Sequence, residues 1–154
     1  MATNWIAVTA EDVKAAMANI VVDAAELDAA RLALVLGQVV ARVRGTIRES
    51  GQEVSATAGT VPPGPAEQHV PVLAAWAMVS GAPGVAGLAL NGPDGGAQRG
   101  FSDLYDAAEE WLKAVMAGTA VVEPPTDGTS ATLQRTVVVA SGGTRLTRDQ
   151  MAGI

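Results

Sequence analysis

The sequence predicts a mainly α-helical fold: a small bundle of about four helices including one long helix, with a Pro/Gly-rich loop and an extended, β-prone C-terminal arm. Three observations lead there. Leu32, Leu36, Val39, Val43 and Ile47 recur at three- and four-residue steps, the spacing of one helix face. Start and stop signals for helices recur between Thr9 and Gly118. The best strand-forming run, around Thr136–Ala140, has no partner of comparable strength elsewhere. The expected division is a helical domain over 1–123 followed by an arm over 124–154.

The first element is a short helix from about Ala10 to Asn19. Thr9 stands three residues before Asp12, a capping box in which Asp replaces Glu or Gln. The second and strongest runs from Asp23 to Ser50. Asp23, Glu26 and Asp28 lie near its start and Arg42, Arg44 and Arg48 near its end, both complementing the helix dipole, and Gly51 supplies the stop. At about 1.5 Å per residue it would span roughly 40 Å. Gly37 and Gly45 each weaken it by about 1 kcal/mol relative to Ala, which predicts a kink or close packing there.

Next comes "GTVPPGPAEQHVPVLAAW", Gly59–Trp76, with four prolines, the single histidine and a tryptophan. "EVSATAGTVPPGP" is non-helical, because prolines lack a donor and push the preceding residue toward extended geometry. Pro71 suits the first turn of a helix to about Ser80, with Val72, Leu73, Trp76 and Val79 as its apolar face. A Gly-rich loop over 81–100 comes after it. Ser102 then caps a helix, with Asp103 in its first turn and Leu104, Ala108, Trp111, Leu112 and Val115 as a buried stripe. Gly118 closes it.

Composition narrows the function classes. Hydrophobic residues reach 49% but aromatics only 3%, so helices pack closely while bulky core side chains are few. Such a protomer is expected to take part of its burial from neighbouring subunits. The absence of cysteine excludes disulfides, thiolate metal sites and cysteine nucleophiles, and suits a reducing compartment. "MATNWIAVTAEDV" has neither a basic start nor a long apolar core, so no secretory signal is expected. No apolar run reaches the roughly 18 residues of a membrane span, so a soluble protein is expected. A net charge of −6 argues against general nucleic-acid binding, which needs Lys and Arg to neutralise phosphate. The charge is uneven: residues 132–154 hold Arg135, Arg145 and Arg148 against Asp149.

No catalytic set emerges. A hydroxyl nucleophile needs a base and an orienting acid, and His69 has no G-x-S-x-G elbow to serve. It reads as a loop residue at the approach to a helix. Asp23/Glu26 and Asp103/Asp106/Glu110 read as solvated helix faces rather than metal ligands. Glu109 and Glu110 point about 100° apart and form no glycosidase pair. Gly81, Gly84 and Gly87 lack the Lys-Ser/Thr of a phosphate loop. No cofactor or metal is expected. Trp76 and Trp111 are core residues packing helix on helix or anchors at a subunit interface. Arg42, Arg44 and Arg48 satisfy the helix C-terminus or pair with an acidic neighbour.

Taken in order over about residues 8–123, "TAEDVKAAM", the long helix with its basic end, "GTVPPGPAEQHVPVLAAWAMVSG" and "FSDLYDAAEEWLKAVMAGTAVVEPP" resemble the head–tail connector (adaptor) proteins of long-tailed bacteriophages. The loop at 81–100 and the tail beyond 124 depart from the leaner members. The resemblance implies a homo-oligomer, commonly a twelve-copy ring, in the virion neck, assembled in the host cytoplasm. The ring docks on the portal protein, carries DNA through its lumen without specific binding, and presents a surface to a neck or tail-completion protein. No enzyme activity and no membrane are implied. The candidate subunit and portal interface comprises Arg42, Arg44, Arg48 and Trp76, with Arg135, Val137, Val138, Val139, Arg145 and Arg148 in the arm. The basic, β-prone arm suits adding a strand to another subunit or reaching the portal. The alternatives are another neck or tail-completion subunit, and a small regulatory protein binding nucleic acid through Arg42, Arg44 and Arg48.

Overall fold

The computed structural model describes residues 2–17, 28–80 and 96–128. Within them the chain is mainly helical: α1 (Ala10–Met17), α2 (Ala29–Glu49), α3 (Pro65–Ser80) and α4 (Gly96–Met116). A two-residue antiparallel pair joins β1 (Ile6–Ala7) to β2 (Thr60–Val61), with Ile6 opposite Val61 and Ala7 opposite Thr60. The sequence did not predict this pair, since neither strand is long enough to show alternation.

The capping box at α1 forms as read. The Thr9 backbone N–H donates to Asp12 Oδ2 at 2.7 Å, and the Asp12 N–H reaches back to Thr9 Oγ1 at 3.4 Å. The long helix starts at Ala29, not at Asp23, because Asp28 takes the N-cap and accepts from the Ala30 N–H at 3.0 Å. Its 21 residues span about 31 Å rather than 40 Å. The helix runs unbroken through Gly37 and Gly45, and neither marks close packing: a Cβ at either would meet nothing within 4 Å.

Helix α3 departs furthest from expectation. It begins at Pro65, so His69 and Pro71 lie inside it rather than before it or in its first turn. Pro65 suits the first helical position, where its missing N–H has no intrahelical partner to lose. Pro71 leaves the Glu67 carbonyl without its usual donor, a cost that burial offsets. Ala66, Val70, Val72, Leu73, Ala74, Ala75, Met78 and Val79 are all buried, so the helix is apolar almost all round instead of presenting one face. An all-round apolar helix belongs in the middle of a bundle, and α3 packs against α1, α2 and α4. The small Ala74 and Ala75, both at 0% exposure, let neighbouring backbones approach.

Helix α4 starts at Gly96, so Ser102 is interior and caps nothing. Phe101, Ala108, Leu112 and Val115 are buried, a stripe that begins just before Ser102 and runs on after it. Leu104, expected in this stripe, is 55% exposed.

Two helices end alike. After α2, Gly51 (φ +83°) donates to Arg48 O and Gln52 to Ile47 O. After α4, Gly118 (φ +73°) donates to Val115 O and Thr119 to Ala114 O. Both are Schellman closures requiring a left-handed residue that only glycine adopts cheaply. The Gln52 side chain ties these ends together, donating to Ala120 O at 3.1 Å and accepting from the Val122 N–H at 2.8 Å. The α2 and α4 C-termini therefore share one end of the bundle. Along α4, α3 runs the opposite way: Trp76 meets Phe101 and Tyr105, while His69 meets Trp111.

Candidate functional site

The described chain does not leave the body at residue 123. It continues across it to Gly128, which bridges Ser55 in antiparallel fashion. Asn4 receives it first, its Nδ2 donating to Glu123 Oε1 at 2.8 Å and to Pro124 O at 3.2 Å, while the Thr126 N–H donates to Asn4 Oδ1 at 2.9 Å. Trp5 is 4% exposed and donates its indole N–H to Glu123 O at 3.0 Å. Asp127 accepts from the Ser55 and Thr57 hydroxyls, each at 2.7 Å, and from the Thr57 N–H at 3.2 Å. Desolvation opposes ionisation there, but hydrogen bonds from Thr57, Ser55 and Thr3 hold the carboxyl below the usual carboxylate range.

Arg44 organises this end clasp from below. Its guanidinium donates to Ser55 O at 2.6 Å, Thr60 O at 2.7 Å and Thr57 O at 3.1 Å, and lies 5.6 Å from the Trp5 ring centroid. A planar fork with five donors matches a loop of inward carbonyls in a way a lysine cannot. Burial, and then Arg48 nearby, pull the Arg44 pKa down, while Asp127 opposes the shift. The group stays charged, since an arginine starts so far above neutrality. So Arg44 does not serve the carbonyls at the end of its own helix; it holds residues 55–60 in place.

Beside the clasp, on the same side of α2, lies an open groove of about 590 Å³. Leu36 and Val40 form its floor, Val8 closes one side, and the small residues Ala33, Gly37 and Ala41 leave its wall low. Arg44 is its one charged residue and stands next to Ala58 and Gly59 where the groove meets the clasp. Ala33, Gly37 and Ala41 are exposed.

The remaining expected site residues fall in different places. Arg42 does find an acidic neighbour, but within the chain: it pairs with Glu109 of α4 through two bonds of 2.8 and 2.9 Å. The pair raises the Arg42 pKa and lowers that of Glu109. Glu109 also accepts from the Tyr105 hydroxyl at 3.2 Å. Arg48 is exposed and makes no ion pair among the described residues. Trp76 is half-buried and stacked on Tyr105 at 4.5 Å and 17°, which joins α3 to α4. His69 is no loop residue; it packs on Trp111 with ring centroids 5.4 Å apart, and burial lowers its pKa. Arg135, Val137, Val138, Val139, Arg145 and Arg148 lie outside the described residues, as do residues 81–95 of the Gly-rich loop.

Sequence reasoning missed Trp5, Ser55 and Asp127. None sits in a periodic segment, and each acquires its role from contacts some 50 to 120 residues away along the chain. Among the described residues no group of three or more His, Cys, Asp or Glu is placed to hold a metal ion, and no helix is long and apolar enough to cross a membrane. No family model, curated protein or solved structure matches the chain.

Proposed function

We propose that this chain is a structural subunit of a tailed-phage particle, a head–tail connector that assembles as a ring under the portal, extends the DNA channel and offers a docking surface to the next neck or tail component. The observation that supports it is the placement of large apolar side chains on the outside of an otherwise well-packed helical body. Leu34 on α2 is 62% exposed, Leu104 on α4 55%, Met116 50% and Val121 84%. A body that leaves several bulky apolar residues in water on two helices and an exit segment gains burial by association. A net charge of −6 suits a conduit for DNA, because like charge discourages sticking. The order of segments that carries the resemblance also matches the order of folded elements: capped short helix, long helix, proline-stiffened entry, central helix, closing helix.

The nucleic-acid alternative has less to draw on, since Arg42 and Arg44 are engaged within the chain. The test is to mix the purified full-length chain with purified portal and image the product. An annular particle seated on the portal is expected, and it should be lost in the double variant Leu34→Asp, Leu104→Asp. A strict monomer that never joins portal or virions would overturn the proposal.

A further inference from the structure

We propose that the apolar groove on α2 is one half of a contact between copies of this chain, and that the Leu104–Ala107 face of α4 from a neighbouring copy fills it. The assignment rests on the ring reading above and names the surfaces by which the ring closes.

The first argument is placement. Arg42 and Arg44 are two residues apart, about 200° round the helix. Arg42 turns toward α4 through its pair with Glu109, whereas Arg44 lines the groove. The groove and α4 therefore lie on opposite flanks of α2. On α4, Ala107 is likewise about 200° from Glu109, and Leu104 about 140°, so both look away from α2. Ala107 is exposed and Leu104 is 55% exposed. One chain thus carries a hollow on one flank and an apolar knob on the other. That is the arrangement of a head-to-tail contact, which closes into a ring when the rotation between copies allows. Arg42 and Glu109 each stand seven residues before the last of their helix, and the two helices end together at Gln52, so α2 and α4 run parallel. A copy rotated about an axis along the bundle presents its α4 parallel to the first copy's α2.

The second argument is shape and polarity. Apart from Arg44, every residue lining the groove is apolar or glycine. Ala33, Gly37 and Ala41 keep its wall low, and a Cβ at Gly37 would meet nothing within 4 Å. Another helix can approach closely there and seat a leucine. The third argument is charge. Arg48 stands one turn beyond Arg44 on the groove's flank, exposed and without an ion pair among the described residues. Asp103 and Glu110 stand one turn either side of Ala107, and they too are exposed and without an ion pair among the described residues. With Leu104 over Gly37 in the parallel arrangement, Glu110 falls about 9 Å further along, level with Val43 and Arg44. The Arg48 side chain leans back toward that level, since helical side chains point toward the N-terminus. The apolar knob therefore arrives with carboxylates beside it, at a hollow rimmed by guanidinium groups.

The absence of native cysteine makes crosslinking between full-length chains a clean test. A chain carrying Ala41→Cys in the groove is mixed with one carrying Ala107→Cys on α4, and mixed and self disulfides are separated by mass under mild oxidation. The mixed disulfide is expected to form at least tenfold faster than either self-pair. Gly37→Leu in the groove chain, whose side chain enters open space and so leaves the helix intact, is expected to abolish that advantage. Arg48→Glu should slow the mixed pair at least threefold, and Glu110→Arg in the other chain should restore it. No advantage for the mixed pair, or one indifferent to Gly37→Leu or Arg48→Glu, would overturn the inference. A faster Ala41→Cys self-pair would assign the groove to a two-fold contact between α2 helices and overturn it as well. Imaging the same chains with portal separates this contact from the ring reading. Rings on portal without the mixed disulfide would overturn the contact alone, whereas a mixed disulfide without portal attachment would support the contact and overturn the portal reading.

Discussion

Removing Arg44 should damage the fold more than removing any other charged side chain. Its guanidinium reaches Ser55 O at 2.6 Å, Thr60 O at 2.7 Å and Thr57 O at 3.1 Å. Ser55 and Thr60 are only 3% and 5% exposed, so water cannot readily replace the lost donors. A hydrogen bond to a charged group contributes about 1.5–3 kcal/mol net. Taking the two buried carbonyls at the lower figure, with about 0.5–1 kcal/mol for the Trp5 ring contact, Arg44→Ala should cost about 3–4 kcal/mol. The exposed Thr57 is left out of that sum because water can replace its bond. Urea unfolding followed by circular dichroism reads this directly, with the midpoint falling by about 1–4 M for a slope of about 1–3 kcal/mol/M. Arg44→Lys keeps the charge but presents one nitrogen to carbonyls that two now serve, so it should recover no more than about half. A loss below about 1 kcal/mol, or full recovery by lysine, would refute the account of Arg44 as the support of the clasp.

Three further outcomes are expected from the same geometry. The carboxyl of Asp127 is held low by its hydrogen bonds, so its contribution is present above its unfolded pKa of about 3.9 and is lost as pH falls through the lower folded value. The stability gap between the native chain and Asp127→Asn should therefore stay constant from pH 8 to 5 and close progressively below pH 4 in urea titrations. Leu32→Ala, at a site with 0% exposure, should cost about 2–5 kcal/mol, whereas Leu34→Ala, 62% exposed, should stay within about 0.5 kcal/mol in the isolated chain. Similar losses for the two would mean that the phase of α2 is wrong. Gly118→Ala meets open space but a φ of +73°, so thermal unfolding should report a loss of about 1–2 kcal/mol from backbone conformation alone.

The helical fold was legible from residues 9–17, 29–51 and 105–118 because those segments carry their own instructions. The Thr9–Asp12 box, the Leu32–Ile47 stripe, and Gly51 and Gly118 as closures all act within a few residues. Local chemistry of that kind reads the same in a sequence as in a fold. The stretch Gly59–Trp76 was harder. Its prolines signal stiffness correctly, but Pro71 sits mid-helix because α3 is enclosed on several sides, and packing there outweighs one missing hydrogen bond. Ser102 misled for a related reason: a good N-cap residue also tolerates a helix interior when the apolar stripe continues past it through Phe101.

The candidate site was barely legible. Arg42, Arg44 and Arg48 look equivalent on paper, one basic cluster near a helix end. In the fold Arg42 is paired with Glu109, Arg44 is enclosed by loop carbonyls and Trp5, and Arg48 stands in solvent. Local sequence was enough to say which segments are helices, where two of them stop, and that the chain is short of bulky core residues. Only packing in three dimensions made α3 the hub, brought residues 3–5 and 123–128 together at residues 55–60, and opened a groove beside Arg44. Helix signals depend on neighbours three or four positions away, whereas the clasp joins residues more than 100 positions apart, and no local pattern encodes a contact at that range.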